Sequence, residues 1–198
     1  MKDTVVVHAD ESCLGNGREG ENPGGAASLI ESQAARGIAR GDLYLSSPGT
    51  TNNRMALCGA IATLALIFET SEEPTVVFVS DSQYLVKGMN DWVRDWRARG
   101  WRRKGGKVEN VELWQELTRL CDGHVVNWKW VRGHTGLPKN EYVNDLAIRA
   151  AAEQLKSNGI IESGFDEWLT RRQAKGYFPA YSAAQSLKDL EFELTGRS

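Results

Sequence analysis

The chain has 198 residues, of which 41% are hydrophobic and 25% are charged, a composition typical of folded globular domains rather than disordered or fibrous chains. No stretch approaches the roughly 20 apolar residues of a transmembrane helix, so we expect no membrane association. The three cysteines are widely spaced and form neither a disulfide framework nor a zinc pattern, which favours a reducing, cytoplasmic location.

The first half of the chain predicts three strands followed by a helix. Residues 4–10 are β-branched and apolar, as expected of a central strand. Residues 25–34 and 39–46 predict two further strands, which we expect to be antiparallel neighbours of the first. Apolar residues then recur at helical spacing over 53–68, and Asn52 is expected to cap this helix.

The second half alternates strands and helices. Residues 75–80 predict a buried strand and 82–89 a short helix, while 108–120 return to helical spacing. A further strand is predicted at 125–131 and a helix at 139–155. A hairpin-like block followed by β-α-β units predicts an α/β fold, in which helices flank a five-stranded mixed sheet.

A basic, tryptophan-rich segment interrupts this pattern at residues 92–107. It contains seven lysine and arginine residues and one acidic residue, although the whole chain carries a formal net charge of -2. A local positive patch attracts phosphate groups whatever the global charge, so the segment favours nucleic-acid binding.

The last part of the chain, 156–198, is interpreted as an extension to a domain that spans residues 1–155. Within it, 163–173 and 181–193 could form short helices. We expect this extension to be a docking or disordered tail without a catalytic role.

Acidic residues follow two of the predicted core strands. Asp10 and Glu11 come after the first strand, and Asp81 comes after the strand at 75–80. If these strands are parallel neighbours, their carboxyl ends meet at one edge of the sheet, where open α/β sheets bind ligands. Clustered carboxylates repel one another, and their oxygen atoms suit Mg²⁺. The sequence therefore predicts a magnesium site at this edge.

Four ordered motifs carry a resemblance to a known family: DESCLGN (10–16), TTNNRM (50–55), SDSQY (80–84) and VRGHTGLPKNE (131–141). With the basic segment, which is similar to the family's handle, they resemble type 1 ribonucleases H over roughly residues 4–155. The resemblance implies a ribonuclease H-like fold and hydrolysis of the RNA strand of RNA–DNA hybrids to 5′-phosphate products. It also implies a monomer that uses two Mg²⁺ ions, with Mn²⁺ as a possible substitute.

The chain departs from the family pattern at two of four acidic positions. Asp10 and Asp81 match the first and third acids, but the second falls on Ala56 and the fourth on Asn144. Asp145 is one residue further along the predicted helix, about 100° around its axis, so we do not expect it in the same site.

Three explanations remain open for these departures. The protein could be a hybrid-binding protein without catalysis, or an inactive variant engineered at both positions, or an enzyme whose carboxylate has moved. The adjacent acid Glu11 favours the third, because an Asp-Glu pair resembles the first motif of type 2 ribonucleases H. Strand alternation, which sends successive side chains to opposite faces, argues against it. We hypothesise a catalytic metal site of Asp10, Glu11, Asp81 and Asn144, in which the amide oxygen can still act as a ligand.

The resemblance also implies residues that contact the substrate. His134 is expected to assist proton transfer or product release. Amide side chains that both donate and accept suit 2′-hydroxyl groups, and basic or aromatic handle residues suit the DNA strand. The predicted substrate-binding residues are Asn16, Thr51, Asn52, Asn53, Gln83, Trp92, Trp96, Arg97, Arg99, Trp101, Arg102, Arg103 and Lys104.

The tryptophans also have a structural interpretation. We expect at least two of the three handle tryptophans to pack within the protein, since 92 and 96 share a helix face. Trp114, Trp128 and Trp130 are predicted to belong to the core.

Two rival functions are weighed against the nuclease. A hybrid-binding protein without catalysis has no use for a new acid beside Asp10, so Glu11 discriminates against it. An integrase-like or resolvase-like nuclease would keep the fold and change the substrate, but TTNNRM and the handle argue against it.

Overall fold

The computed structural model describes residues 4–15, 22–34, 37–133 and 135–182. They form one mixed sheet with helices on both faces. The strands and helices, in chain order, are β1 (Thr4–Cys13), β2 (Gly24–Ala34), β3 (Gly37–Ser47), α1 (Asn52–Thr70), β4 (Thr75–Ser80), α2 (Gln83–Lys87), a π-helical turn (Gly88–Trp92), α3 (Val93–Ala98), β5 (Arg102–Arg103), β6 (Gly106–Lys107), α4 (Val111–Cys121), β7 (Val125–Trp130), α5 (Pro138–Glu153), β8 (Ile161–Glu162) and α6 (Phe165–Ala174).

The sheet has the strand order β7-β4-β1-β2-β3-β8, and β5 and β6 form a separate hairpin. β2 is antiparallel to its neighbours β1 and β3, whereas β4 is parallel to its neighbours β1 and β7. The predicted α/β fold with a mixed sheet is thus confirmed, but the sheet has six strands rather than five. The sixth is β8, which is only two residues long and therefore carries no detectable periodicity.

One face of the sheet is covered by α1 and α4. Alternate residues of β1, namely Val5, Val7 and Ala9, pack here with α1 residues such as Leu57 and Leu64. A hydrogen bond of 2.8 Å between the hydroxyl groups of Ser28 in β2 and Thr63 in α1 joins the same layers. Side chains of odd-numbered β1 residues therefore point toward α1.

The opposite face is covered by α5 and α6. Leu29 of β2 packs here against Tyr142 and Val143 of α5 and against Phe165 and Trp168 of α6. At Gly25 the backbone of β2 approaches that of α5 so closely that a Cβ atom would lie 2.6 Å from the amide nitrogen of Ala151. Glycine is required there because only it leaves room for the helix.

The handle is anchored by aromatic packing. The ring centroids of Trp92 and Trp96 are 5.6 Å apart, and those of Trp96 and the buried Trp114 are 5.4 Å apart. Trp101 also packs against the core on this side. The expectation that at least two handle tryptophans are structural is confirmed.

The described part of the extension, 156–182, is docked onto the sheet and α5. β8 pairs with β3 and forms the edge of the sheet on that side. The buried Asp42 of β3 accepts hydrogen bonds from the hydroxyl of Tyr142, the hydroxyl of Ser163 (2.7 Å) and the backbone N–H of Gly164 (3.0 Å). Burial raises the pKa of Asp42, and the hydrogen bonds oppose that shift. One carboxylate thus joins the sheet, α5 and the start of α6.

A second junction is ionic. Glu31 of β2, whose side chain is fully buried, lies 2.8 Å from Arg40 of β3 and 2.8 Å from Lys139 at the start of α5. Arg40 also contacts Asp166 of α6 at 3.1 Å and lies over the ring of Phe165. Charges buried in this way are tolerated only when they are paired.

Several sequence predictions are refined. The predicted helix at 163–173 is confirmed as α6, while most of 181–193 lies outside the described residues. Thr51, rather than Asn52, caps α1, because its hydroxyl accepts a hydrogen bond from the N–H of Arg54. The prediction that Trp130 is a core residue is wrong: its side chain is 46% exposed, because it ends the edge strand β7 beyond the cover of the helices.

Within the described ranges, no helix combines the length and apolar character that crossing a membrane requires.

We predict that Asp42→Ala lowers the free energy of unfolding by about 3 kcal/mol, because it leaves buried donors of Tyr142, Ser163 and Gly164 without their acceptor. Urea unfolding would measure this, with Asp95→Ala as the control, since Asp95 is exposed and makes only a long ion pair with Arg99. Equal stability of the two variants would contradict the assigned role of Asp42.

Candidate active site

Two acids meet where the parallel strands β1 and β4 end. Ala9 is the register partner of Ser80, so the next residues, Asp10 and Asp81, lie side by side at the carboxyl edge. Asp10 is buried and shares the α5 face with Val6 and His8, by strand alternation. Its carboxylate also accepts a hydrogen bond of 2.6 Å from the N–H of Glu11.

Glu11 lies on the other face of the same strand end. It pairs with Ala26 of β2, whose Cβ would lie 2.8 Å from a Cβ atom at Gly59 of α1, so the position faces α1. Glu11 is half-buried and accepts a hydrogen bond from the side chain of Ser82. The expected split of residues 10 and 11 between the two faces is therefore what the structure has.

This split brings Glu11 toward Ala56. Ala56 lies on α1 one turn before Gly59, next to Met55, which packs against Gly24 at the neighbouring end of β2. It is buried, with 5% of its surface exposed. Position 56 therefore lies on the same face of the sheet as Glu11 and at the same end of β1.

The three carboxyl groups repel one another in this enclosed setting. Burial raises the pKa of Asp10 to about 7, and the charges of Asp81 and then Glu141 add to the shift. Burial also raises the pKa of Glu11 to about 8, with Asp10 the next contribution, while the hydrogen bond from Ser82 opposes it. Such mutual repulsion is relieved when a cation lies among the carboxylates.

Helix α5 adds further polar side chains to the site. Glu141 is close enough to Asp10 to raise its pKa, and Asn144 follows it by one turn on the same side of the helix. Sequence reasoning missed Glu141; its three-residue spacing from Asn144 is the signal that could have found it. Asp145 accepts a hydrogen bond of 2.8 Å from Trp168 of α6, in agreement with the expectation that it belongs elsewhere.

The backbone around Asp81 is shaped by two neighbours that sequence reasoning did not select. A Cβ atom at Gly133 would overlap the Oδ2 atom of Asp81, so the absence of a side chain at 133 leaves room for this carboxylate. The indole N–H of Trp130 donates a hydrogen bond of 3.0 Å to the carbonyl oxygen of Asp81. Both contacts limit where the carboxylate can point.

The residues present fit a divalent cation by their chemistry. The donors are carboxylate oxygens plus the amide oxygen of Asn144, a set suited to Mg²⁺ or Mn²⁺. In the described part of the chain, no three His, Cys, Asp or Glu side chains are already arranged to hold a metal ion. Glu11 is held by the side chain of Ser82, and its carboxyl group is close enough to Asp10 and Asp81 for their charges to raise its pKa.

The predicted substrate residues in the described structure lie at the start of α1, at the start of α2 and in the handle. Thr51, Asn52 and Asn53 are at the start of α1, and Gln83 begins α2, where it accepts a hydrogen bond from Lys87. The Oδ1 atom of Asn52 is buried and has no hydrogen-bond partner within the described structure. Asn16 and His134 lie outside the described residues, so their assignments stay predictions.

The handle arginines differ in their surroundings. Arg97 donates two hydrogen bonds to Asp122, and Arg103 donates one to Glu109. Arg99 is 3.7 Å from Asp95. Arg102 and Lys104 are exposed on the hairpin. Contacts of these residues, and of the packed tryptophans, with a DNA strand stay predictions.

Comparison with known proteins places the chain among relatives of the same kind. A family model described as RNase H matches residues 2–152. A ribonuclease H of Stutzerimonas stutzeri is 41% identical over 152 residues, covering 76% of this chain and 93% of the relative. One of Pseudomonas fluorescens is 40% identical over 154 residues, covering 77% and 95%.

Solved structures agree with this. The chain is similar to LC9-RNase H1, described as a type 1 RNase H with the type 2 active-site motif, at 51% identity and a TM-score of 0.79, covering 85% of this chain and 81% of that one. The RNase H domain of PFV has a TM-score of 0.63 at 14% identity, with 77% and 97% covered, which shows the shared fold.

We predict that Asp10→Asn stabilises the metal-free protein at pH 8 by about 3 °C in melting temperature, the shift expected from roughly 1 kcal/mol. The folded-state pKa of Asp10, raised above its unfolded value, makes its charged form costly, so stability falls as pH rises from about 4 to 8. The difference should shrink as pH falls toward 4, where Asp10 becomes protonated in the unfolded chain as well as in the folded one. Thermal unfolding in chelator measures this, with the exposed Asp95→Asn as control. A lower melting temperature for Asp10→Asn at pH 8 would contradict the repulsion.

Proposed function

Because the chain belongs to the ribonuclease H family and is a ribonuclease H enzyme, we propose that it hydrolyses the RNA strand of RNA–DNA hybrids. We propose that it uses two divalent cations for this reaction and that these are Mg²⁺ ions. We propose Asp10, Glu11, Asp81 and Asn144 as the metal ligands. Glu141 adds negative charge beside them.

The observation that carries this proposal is the position of Glu11. It lies at the carboxyl edge beside Asp10, and it is on the face of the sheet where α1 presents Ala56. The family's second acid belongs at position 56, so a carboxylate from the strand supplies the charge that the helix lacks. The likeness to a type 1 enzyme with the type 2 active-site motif supports the same interpretation.

Each residue then has a defined task. Asp10 and Asp81, aligned by the strand register, would hold the cations. Glu11 leaves Ser82 and turns toward Asp10, completing the acidic set. Asn144 offers a neutral oxygen, so the site carries less negative charge than one with a fourth aspartate. Bound divalent cations supply an activated water and stabilise the leaving oxygen.

Recognition of the hybrid follows from groups around this edge. We propose that Asn52, whose Oδ1 atom has no hydrogen-bond partner in the described structure, accepts a hydrogen bond from a 2′-hydroxyl group. We propose that Arg102 and Lys104, which are exposed on the hairpin, contact phosphates and add affinity without reading sequence. Proton transfer by His134 belongs to the same proposal.

We predict that Glu11→Gly lowers kcat/KM for a labelled hybrid on the order of 10³-fold, because it removes several kcal/mol of metal-mediated stabilisation. The double variant Glu11→Gly/Ala56→Glu should recover part of that loss, since it returns a carboxylate to the same face. Hybrid affinity without divalent ions should change by less than about threefold, as cationic groups dominate it.

Glu11→Gln is the matched control for shape, and it should be as impaired as Glu11→Gly. A wild-type chain that binds hybrid but never cleaves it, with Mg²⁺ or Mn²⁺, would instead identify a hybrid-binding protein. Full activity of Glu11→Gln would contradict the assignment of Glu11 as a metal ligand, but not the assignment of the chain as a nuclease.

We also predict that Gly133→Ala lowers kcat about 100-fold, the loss expected when a reacting group is displaced by about 1 Å. The new methyl group would overlap Asp81 Oδ2 and displace that carboxylate. Gly49→Ala is the control, because a Cβ atom there meets nothing within 4 Å. Steady-state cleavage and melting curves measure both. Wild-type kcat in Gly133→Ala would show that the position of Asp81 does not limit the reaction.

A further inference from the structure

A cavity of about 420 Å³ lies on the α5 face, behind the acidic edge of the sheet. Val79, Val131 and Leu137 form its apolar wall. His8 also lines it, and His8 and Val79 precede Asp10 and Asp81 by two residues each, on the same face of their strands. This volume is within the range of cavities that hold a ligand or a few large side chains.

The cavity is basic as well as apolar. His8, Lys129 and Lys139 line it, of which Lys139 is already paired with the buried Glu31. No acidic residue lines the cavity among the described residues. It is bordered by β7, which is the edge strand of the described sheet, and by the half-exposed indole of Trp130. An edge strand beside an apolar cavity is a surface that proteins normally cover.

The chain itself arrives at this cavity. After α6 it returns across α5, and Tyr181 lines the cavity together with Asn140 at the start of that helix. Tyr181 is anchored there, because its carbonyl oxygen accepts a hydrogen bond of 2.6 Å from Gln173 and its N–H donates to the carbonyl of Phe178. The sixteen residues 183–198 therefore begin at the rim of the cavity.

Those residues have the complementary chemistry. They include four large apolar side chains. The six consecutive residues 189–194 contain three acidic residues and no basic one. The apolar residues are Leu187, Leu190, Phe192 and Leu194, and the acids are Asp189, Glu191 and Glu193. Leu190 follows Tyr181 by nine residues, which can span up to about 30 Å when extended.

We propose that segment 183–198 docks into this cavity, with its apolar side chains against Val79, Val131 and Leu137 and its acids toward Lys129 and His8. A tethered segment that starts at the rim has a high effective concentration, so it outcompetes a separate partner of the same chemistry. The docked segment buttresses β7, the start of α5 and the loop between them. This inference goes beyond the proposed function and does not depend on it.

Hydrogen–deuterium exchange of the full chain tests the proposal. In the wild type, amides of 187–194 should exchange at least tenfold more slowly than in an unstructured peptide. In Leu190→Asp/Phe192→Asp that protection should disappear, and amides of 129–131 and 137–141 should exchange severalfold faster. Gln185→Asp/Thr195→Asp adds the same charge outside the apolar set and should behave as wild type.

Three outcomes would overturn the proposal. One is exchange of 187–194 in the wild type at the unstructured rate. Another is protection that weakens on tenfold dilution together with a dimer in sedimentation, which would make a second copy the occupant. The third is protection of the cavity that appears only on addition of hybrid, which would make it a nucleic-acid site. None of these bears on cleavage, so the proposed function is tested separately.

Discussion

The parallel register of β1 and β4 is the constraint on which the site depends. Because Ala9 pairs with Ser80, each strand delivers its next residue, an aspartate, to the same edge. The backbone hydrogen bonds of two buried strands thus hold together two carboxylates that would separate if they were free to move. Glu11 joins them from the opposite face of β1, and Glu141 from α5. The fold supplies the energy that holds these carboxylates together, and a bound cation would relieve their repulsion.

Helix α5 must keep a fixed position for this arrangement, and contacts with residues 156–182 help to fix it. Asp42 ties β3 to Tyr142 of α5 and to the turn before α6, while Glu31 pairs with Lys139 at the first turn of α5. Arg40 carries the ionic contact onward to Asp166 of α6. Residues 156–182 therefore help to hold α5 in place, although none of them contributes a carboxylate to the acidic edge.

Sequence patterns could predict the long elements because their periodicity reports which face is buried, and the strand-end acids because they follow those elements directly. They could not predict β8, which has two residues, or the cap at Thr51, which stands beside an equally suitable Asn52. Glu141 and Gly133 matter because the fold brings them close to Asp10 and Asp81, which are distant in sequence. No local sequence pattern reports such contacts. Trp130 is a large aromatic residue of the kind that usually lies in a core, yet its position at the end of an edge strand leaves it exposed. The strand alternation that argued against Glu11 in fact places it beside α1.

The small side chain at position 56 couples this position to Glu11. Ala56 is buried, as are its helix neighbours Met55, Leu57 and Ala60, and it lies on the face of the sheet that Glu11 shares. A glutamate introduced there alone would meet packed neighbours and the carboxyl group of Glu11, so its effect on stability depends on what stands at position 11. Substitutions at the two positions are therefore expected not to be additive.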